Sequence, residues 1–239
     1  VLNYDDPITR GMAAHVKCRV VWFSRTQVPP EGAFVKDGLI MFGRSDAPTP
    51  VCKVEDVYIP GPHNLENALA ATAAAICAGV PAPVVRHTLR TFHGVEHRIE
   101  TVRVLDGVKY INDSKGTNPD STVKAVETMK EPTVIILGGS EKNSDFGKMC
   151  EVIRRNPITY AVLIGKTGER IGEALKAHGF TAFEYAGYDF EQAIRIARAH
   201  AVTGGNVLLS PACASFDMFS DYEARGREFK RIVNELKEA

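Results

Sequence analysis

Thr133-Val134-Ile135-Ile136-Leu137-Gly138-Gly139-Ser140 is a run of β-branched and apolar residues that stops at paired glycines. It shows no polar alternation, so it reads as a strand buried on both faces, the kind found in a sheet with helices on each side. A helical pattern follows Asp145, and the alternation then repeats. Ala161 to Ile164 reads as a strand and Thr167 to His178 as a helix. Ala182 to Tyr185 is a weaker strand, followed by a helix over Phe190 to Ala201. Val207 to Ser210 is a strand, and Ser220 to Lys237 is a long amphipathic helix. On the other side of the opening run, Ile99 to Leu105 and Val108 to Asn112 flank Asp106-Gly107, which is a hairpin signal. The fold class is therefore α/β with a mostly parallel sheet, which binds ligands at the carboxyl ends of its strands.

Before His97 the texture differs. Residues 1 to 60 are irregular and strand-rich, with short strands expected over Arg19 to Phe23 and after the Asp37-Gly38 turn. Asn64 to Ala78 reads as a helix that ends at Gly79, with Pro81 beyond it, and Pro83 to Phe92 as another. Gly94 to His97 reads as a linker, so the expected domains are 1–95 and 96–239. The chain begins Val1-Leu2-Asn3 and runs into the polar turn Tyr4-Asp5-Asp6-Pro7, which reads like a start inside a domain.

Composition narrows the function classes. The 239 residues hold 29 Lys plus Arg against 29 Asp plus Glu, so there is no net charge to draw the chain to nucleic acid or to an acidic membrane. No apolar run reaches the ~18 residues of a membrane span. The 5 cysteines contain no CxxC pair, and their spacing suits a reduced, cytoplasmic protein rather than a disulfide framework or a zinc site.

Three polar clusters fall at strand ends. Asn112-Asp113-Ser114-Lys115-Gly116-Thr117-Asn118 places an acid, a hydroxyl and a base in one loop. It reads as a ligand loop, or as a polar loop that caps a helix starting at Asn118-Pro119. Gly138-Gly139-Ser140-Glu141-Lys142-Asn143 reads as a backbone cradle with a point charge at Lys142, or as a tight strand-to-helix connection. Ser210-Pro211-Ala212-Cys213-Ala214-Ser215-Phe216-Asp217-Met218-Phe219 carries small residues that allow close approach. In it Asp217 reads either as a cap of the last helix or as a ligand contact. His97-Arg98 stands at the domain junction, where Arg98 can reach phosphate charge or simply face solvent. Of Asn64 and Asn67, one reads as the helix N-cap and the other as free for a ligand. His87, His178 and His200 read as surface or packing residues, and no cysteine as a nucleophile.

In this order the clusters resemble the Mur ligases, ATP-dependent enzymes that add amino acids to the peptidoglycan precursor. Gly61-Pro62-His63-Asn64-Leu65-Glu66-Asn67-Ala68 resembles the family's His-Asn-x-x-Asn-Ala helix. Phe92-His93-Gly94-Val95-Glu96-His97-Arg98 resembles its junction motif. The Asn112 to Asn118 loop is similar to the Asn-Asp-Ser-Lys-Ala-Thr-Asn form of the members that add D-glutamate. Leu209 to Phe219 is equally characteristic, and Gly116 in place of Ala reads as a conservative difference. The resemblance implies a partial central ATPase domain, then a Rossmann-like C-terminal domain that binds the amino acid. It implies adenine or its surroundings at Asn64 and Asn67, phosphates at Arg98 and Lys115, and ribose at Asp113. It implies D-glutamate carboxylates at Thr117, Lys142 and Ser215, with Phe216 and Tyr222 packing against the substrate.

The implied reaction joins D-glutamate to UDP-N-acetylmuramoyl-L-alanine through an acyl phosphate, using ATP and Mg2+, by a monomer. No GxxGKT-type P-loop occurs, and Gly165-Lys166-Thr167 lacks the loop that would precede it. The resemblance therefore places the P-loop, the Mg2+ ligands and the UDP-binding domain outside this chain. No catalytic or metal-binding residue is expected within it, and turnover by the chain alone is not expected. The alternatives are a folylpolyglutamate synthase-like ligase and a non-catalytic Rossmann-like binding module.

Overall fold

The computed structural model describes residues 1–140 and 143–238, and in them the chain divides into two units, Val1–Gly94 and Val95–Ala239. The first unit runs β1 (Leu2–Asn3), α1 (Pro7–Met12), β2 (Trp22–Ser24), β3 (Glu31–Lys36), β4 (Leu39–Arg44), β5 (Thr49–Lys53), α2 (Pro62–Cys77) and α3 (Ala82–Thr91). Its sheet has the order β1-β2-β3-β4-β5, parallel across the first three strands and antiparallel across the last three. Ala68, Leu69 and Ala73 of α2 and Val85 and Leu89 of α3 bury against Ala33, Ile40 and Val51. The alanine content of α2 favours helix, and Gly79, at φ 89°, closes it with the left-handed residue that such ends require.

Three elements here differ from the reading of the sequence. Tyr4-Asp5-Asp6-Pro7 is not only a turn. The Asp6 carboxylate accepts the Ile8 amide at 2.8 Å and starts α1. β3 contains Gly32 and β5 contains Pro50, so neither gives a strand signal on its own. Each pairs with β4 as part of an antiparallel meander, and tertiary pairing outweighs the local preference.

The second unit runs β6 (Glu100–Leu105), β7 (Val108–Asn112), α4 (Pro119–Thr128), β8 (Thr133–Gly138), α5 (Gly147–Arg155), β9 (Ile158–Ile164), α6 (Gly168–Ala177), β10 (Phe183–Gly187), α7 (Phe190–His200), β11 (Asn206–Leu209) and α8 (Tyr222–Glu235). The sheet order is β10-β9-β8-β11-β7-β6, parallel except for the β6–β7 hairpin. That hairpin closes at Asp106 and Gly107 with φ 53° and 74°, the backbone a two-residue type I′ turn needs. Every residue of β8 is buried, because helices cover both faces. Ile135 and Leu137 face the layer of α4, α5 and α6, while Val134 and Ile136 face α7 and α8. Each such side chain contributes about 1.5–3 kcal/mol on burial. Among the described residues no helix is long and apolar enough to cross a membrane.

Candidate functional site

The chain leaves β7 for α4 on one face of the sheet, and leaves the adjacent parallel strand β11 for α8 on the other. Divergent exits of this kind open a crevice at the carboxyl ends of the strands. The loops after β7, β11 and β8 lie side by side there. The Asp113 amide donates to the Leu209 carbonyl at 2.7 Å, and the Gly138 amide to Pro211 at 2.8 Å. The Ser140 amide donates to Ala214 at 2.9 Å. The described parts of all three polar clusters thus meet in one place.

Arg225 ties two of these loops together. It is fully buried on α8. Its Nε donates to Ser114 Oγ at 2.9 Å, one terminal nitrogen to the Ser114 carbonyl at 2.8 Å, and the other to the Cys213 carbonyl at 3.1 Å. Ser114 Oγ in turn donates to the Tyr222 carbonyl at 2.8 Å. Burial pulls the guanidinium down to about 10, though it stays charged at neutral pH. Sequence reading missed Arg225, yet a signal was present. Arg225, Phe229, Ile232 and Val233 follow the i, i+4, i+7, i+8 spacing of one buried helix face.

Asp113 faces inward. Its Oδ2 accepts from Ser210 Oγ at 2.7 Å and its Oδ1 from the Ile99 amide at 3.2 Å. Burial pushes its carboxyl up to about 7, and the Ser210 hydroxyl, the Ile99 amide and the charges of Arg98 and Arg225 only partly oppose this. The Thr122 hydroxyl donates to the Ser210 carbonyl at 3.1 Å and backs the pair. Gly116 is not interchangeable with Ala in this geometry. A Cβ there would stand 2.7 Å from Asp113 Oδ2 and 2.9 Å from Ser210 Oγ, which corrects the reading of that difference as conservative.

The junction is knit into the same network. Asn112 Oδ1 accepts the Ser114 amide at 3.1 Å, which fixes the orientation of the side-chain amide. Asn112 Nδ2 therefore donates to His97 Nδ1 at 2.9 Å and to Glu100 Oε2 at 3.1 Å. The His97 ring packs on α8 where a Cβ on Gly226 would overlap it. Ligand atoms of Glu96, His97 and Glu100 lie within 4.8 Å of one another, a grouping the sequence gave no reason to expect. Its chemistry does not suit a metal. With Nδ1 accepting, the proton of neutral His97 is on Nε2, and the Lys230 ammonium already sits on Glu96 and Glu100 at 3.0 and 2.6 Å.

The remaining candidates lie as follows. Arg98 and Lys115 are exposed, and the Lys115 ammonium stands 5.7 Å from the centre of the Tyr222 ring. Thr117 is half-buried, and Ser215 is buried, its carbonyl accepting the amides of Met218 and Phe219. Phe216 is 75 % exposed. Tyr222 packs edge-on to His97 at 6.1 Å. Lys142 lies outside the described residues. Asp217 does not cap the last helix. Its Oδ2 accepts the Lys166 amide at 2.9 Å, and Asp221 caps α8 by accepting the Ala224 amide at 2.6 Å. Asn64 and Asn67 belong to the first unit. Neither is an N-cap, because Gly61 holds that position. Asn64 Nδ2 donates to the Pro60 carbonyl at 2.7 Å, while the exposed Asn67 reaches Asn64 Oδ1 at 3.4 Å.

Residues 97–213 match the model of the Mur ligase, glutamate ligase domain. Over 239 residues the chain is 45 % identical to the UDP-N-acetylmuramoylalanine–D-glutamate ligase of Thermoanaerobacter sp. (strain X514), covering 99 % of this chain and 52 % of that protein. It is 46 % identical to the ligase of the same name from Pelotomaculum thermopropionicum, again over 99 % of the chain and 52 % of the relative. Among solved structures it is similar to MurF from Acinetobacter baumannii, with a TM-score of 0.68 at 17 % identity over 96 % of this chain and 51 % of that one. The chain spans about half the length of the curated relatives it matches.

Proposed function

We propose that the chain, whose residues 97–213 match the Mur ligase, glutamate ligase domain, is the back part of a Mur ligase, an ATP-dependent enzyme joining D-glutamate to UDP-N-acetylmuramoyl-L-alanine. Residues 1–95 are then the trailing part of the central ATP-binding domain, and 96–239 a Rossmann-like amino-acid-binding domain. What carries the reading is the meeting of the Asp113 and Ser215 loops at one strand-end crevice, in a chain 45 % identical to a D-glutamate ligase.

In the first step the γ-phosphoryl of ATP passes to the carboxylate of UDP-N-acetylmuramoyl-L-alanine, leaving ADP and an acyl phosphate. In the second the D-glutamate amine attacks the acyl carbon and phosphate leaves, forming the amide. Such transfers depend on positioning and on neutralising phosphoryl charge. Arg98 and Lys115, both exposed cations, serve the phosphates, and Asp113 offers the ribose the lone pairs that Ser210 and Ile99 leave unused. Asn64 and Asn67 serve the adenine side. Thr117, Lys142 and Ser215 hold the D-glutamate carboxylates, with Phe216 and Tyr222 packed against them. Mg2+ neutralises phosphate charge when bound.

The test is ADP release by the complete protein that carries this chain. ADP should form only with both UDP-N-acetylmuramoyl-L-alanine and D-glutamate present, and not with a folate and L-glutamate. The reverse pattern, or no ADP at all, overturns the reading. The 239 residues alone should release none, because they hold no P-loop.

A further inference from the structure

Glu96 and Glu100 bracket a turn the backbone does not favour. His97 has φ 66° and Ile99 φ 47°, and the second is β-branched. Such residues persist only where the surroundings over-determine them. The turn matters because of what it touches. The His97 carbonyl accepts the Lys115 amide at 3.0 Å, and the Ile99 amide is the donor to Asp113. Arg98 lies between the two strained residues.

From inside, the turn is held by the His97 amide, which donates to Glu100 Oε2 at 3.0 Å. From outside, one group holds both its ends. The Lys230 ammonium meets Glu96 Oε1 at 3.0 Å and Glu100 Oε1 at 2.6 Å. Lys230 is 29 % exposed and Glu100 24 %, so this bridge is better shielded than an ordinary surface pair. Arg227, on the same helix, adds a smaller positive field at Glu96. Without Lys230 two carboxylates would face each other across the turn and push its ends apart. α8 also carries Arg225 and Tyr222, so Lys230 joins the turn to the element that holds the Asp113 and Cys213 loops.

We propose that Lys230 is a positioning residue, a clasp on Glu96 and Glu100 that holds the strained His97–Ile99 turn and so places Arg98 and Asp113. The consequence for ligand rests on the reading of those two residues as nucleotide contacts.

The experiment compares Lys230→Met and Lys230→Arg with the wild type in the complete protein, by residue-resolved amide hydrogen exchange and by ADP affinity. In Lys230→Met the amides of Ile99 and Lys115 should exchange about five-fold faster, with Ile135 and Leu137 of β8 unchanged. ADP should bind about three-fold more weakly, and Lys230→Arg should restore both. Wild-type exchange at Ile99 and Lys115 in Lys230→Met overturns the clasp. So does a rise shared by Ile135 and Leu137, which would make Lys230 a contributor to global stability alone. Faster exchange with unchanged ADP affinity overturns its role in placing the ligand contacts. If the wild type binds no ADP, the nucleotide reading fails instead, and exchange alone decides the clasp.

Discussion

Two populations of side chains share the strand-end crevice. The inner one, Asn112, Asp113, Ser114, Ser210 and Arg225, is buried, and its hydrogen bonds go to other parts of the protein. The outer one, Arg98, Lys115 and Phe216, is exposed. They alternate along the same loops: Ser114 is fully buried and Lys115 beside it is exposed. The inner side chains hold the loops in place, and on the proposed reading the outer ones meet the ligand, together with the lone pairs that Asp113 leaves unused. Substitutions should therefore separate into those that unfold the crevice and those that only weaken what it binds.

The largest expected effect is at Arg225. Arg225→Met keeps much of the volume but removes the buried guanidinium donors that the Ser114 and Cys213 carbonyls accept. The expected loss is about 3–5 kcal/mol of unfolding free energy, read by urea denaturation. A loss under about 1 kcal/mol, the range of surface substitutions, would place Arg225 in the outer population.

Asp113 comes next, and its sign differs from that of most acids. Its folded carboxyl is raised to about 7 by burial, against an ordinary value of 3.8. The folded state therefore holds the proton more tightly than the unfolded one. Its contribution is most favourable below the unfolded value and is lost as pH rises towards 7. Asp113→Asn should remove that slope, so between pH about 4 and 7 the wild type should lose roughly 2–4 kcal/mol relative to the variant. Parallel stability curves would mean that the carboxyl is ionised throughout and stands with the solvated groups.

A smaller effect is expected at the start of α8, which carries Arg225 and Lys230. Asp221→Ala removes the acceptor for the Ala224 amide and should lower stability by about 1 kcal/mol, measured by thermal or urea unfolding. No change would mean that α8 is held by its buried face alone.

The division between inner and outer groups explains what the sequence showed. The strands of the second unit were legible because helices on both faces make them continuously apolar, as in Val134 to Leu137. The three polar clusters were legible because parallel strands end in loops. Glu31–Lys36 and Thr49–Lys53 were not, because Gly32 and Pro50 erase the local signal that pairing with β4 overrides. Arg225 was hidden by its residue type, since an arginine in a helix reads as solvated unless its place on the Phe229, Ile232, Val233 face is counted. The grouping of Glu96, Glu100 and Lys230 spans more than a hundred residues, and no local pattern signals it.

The smallest effect on stability tests the other half of the comparison. Lys115 is exposed, and its ammonium stands 5.7 Å from the centre of the Tyr222 ring, a cation–π arrangement worth about 0.5 kcal/mol at an exposed site. Phe216 is 75 % exposed and gives up almost no burial on truncation. Lys115→Met and Phe216→Ala should each leave unfolding free energy within about 0.5 kcal/mol of wild type. On the proposed reading, in the complete protein that carries this chain Lys115→Met should raise the KM for ATP and Phe216→Ala the KM for D-glutamate, each by about ten-fold, the equivalent of 1.4 kcal/mol of lost binding. A stability loss above about 1 kcal/mol in either would show that the exposed side chains also hold the loops. Unchanged KM values with wild-type stability would remove Lys115 and Phe216 from the site and leave Arg98 as the crevice's exposed contact.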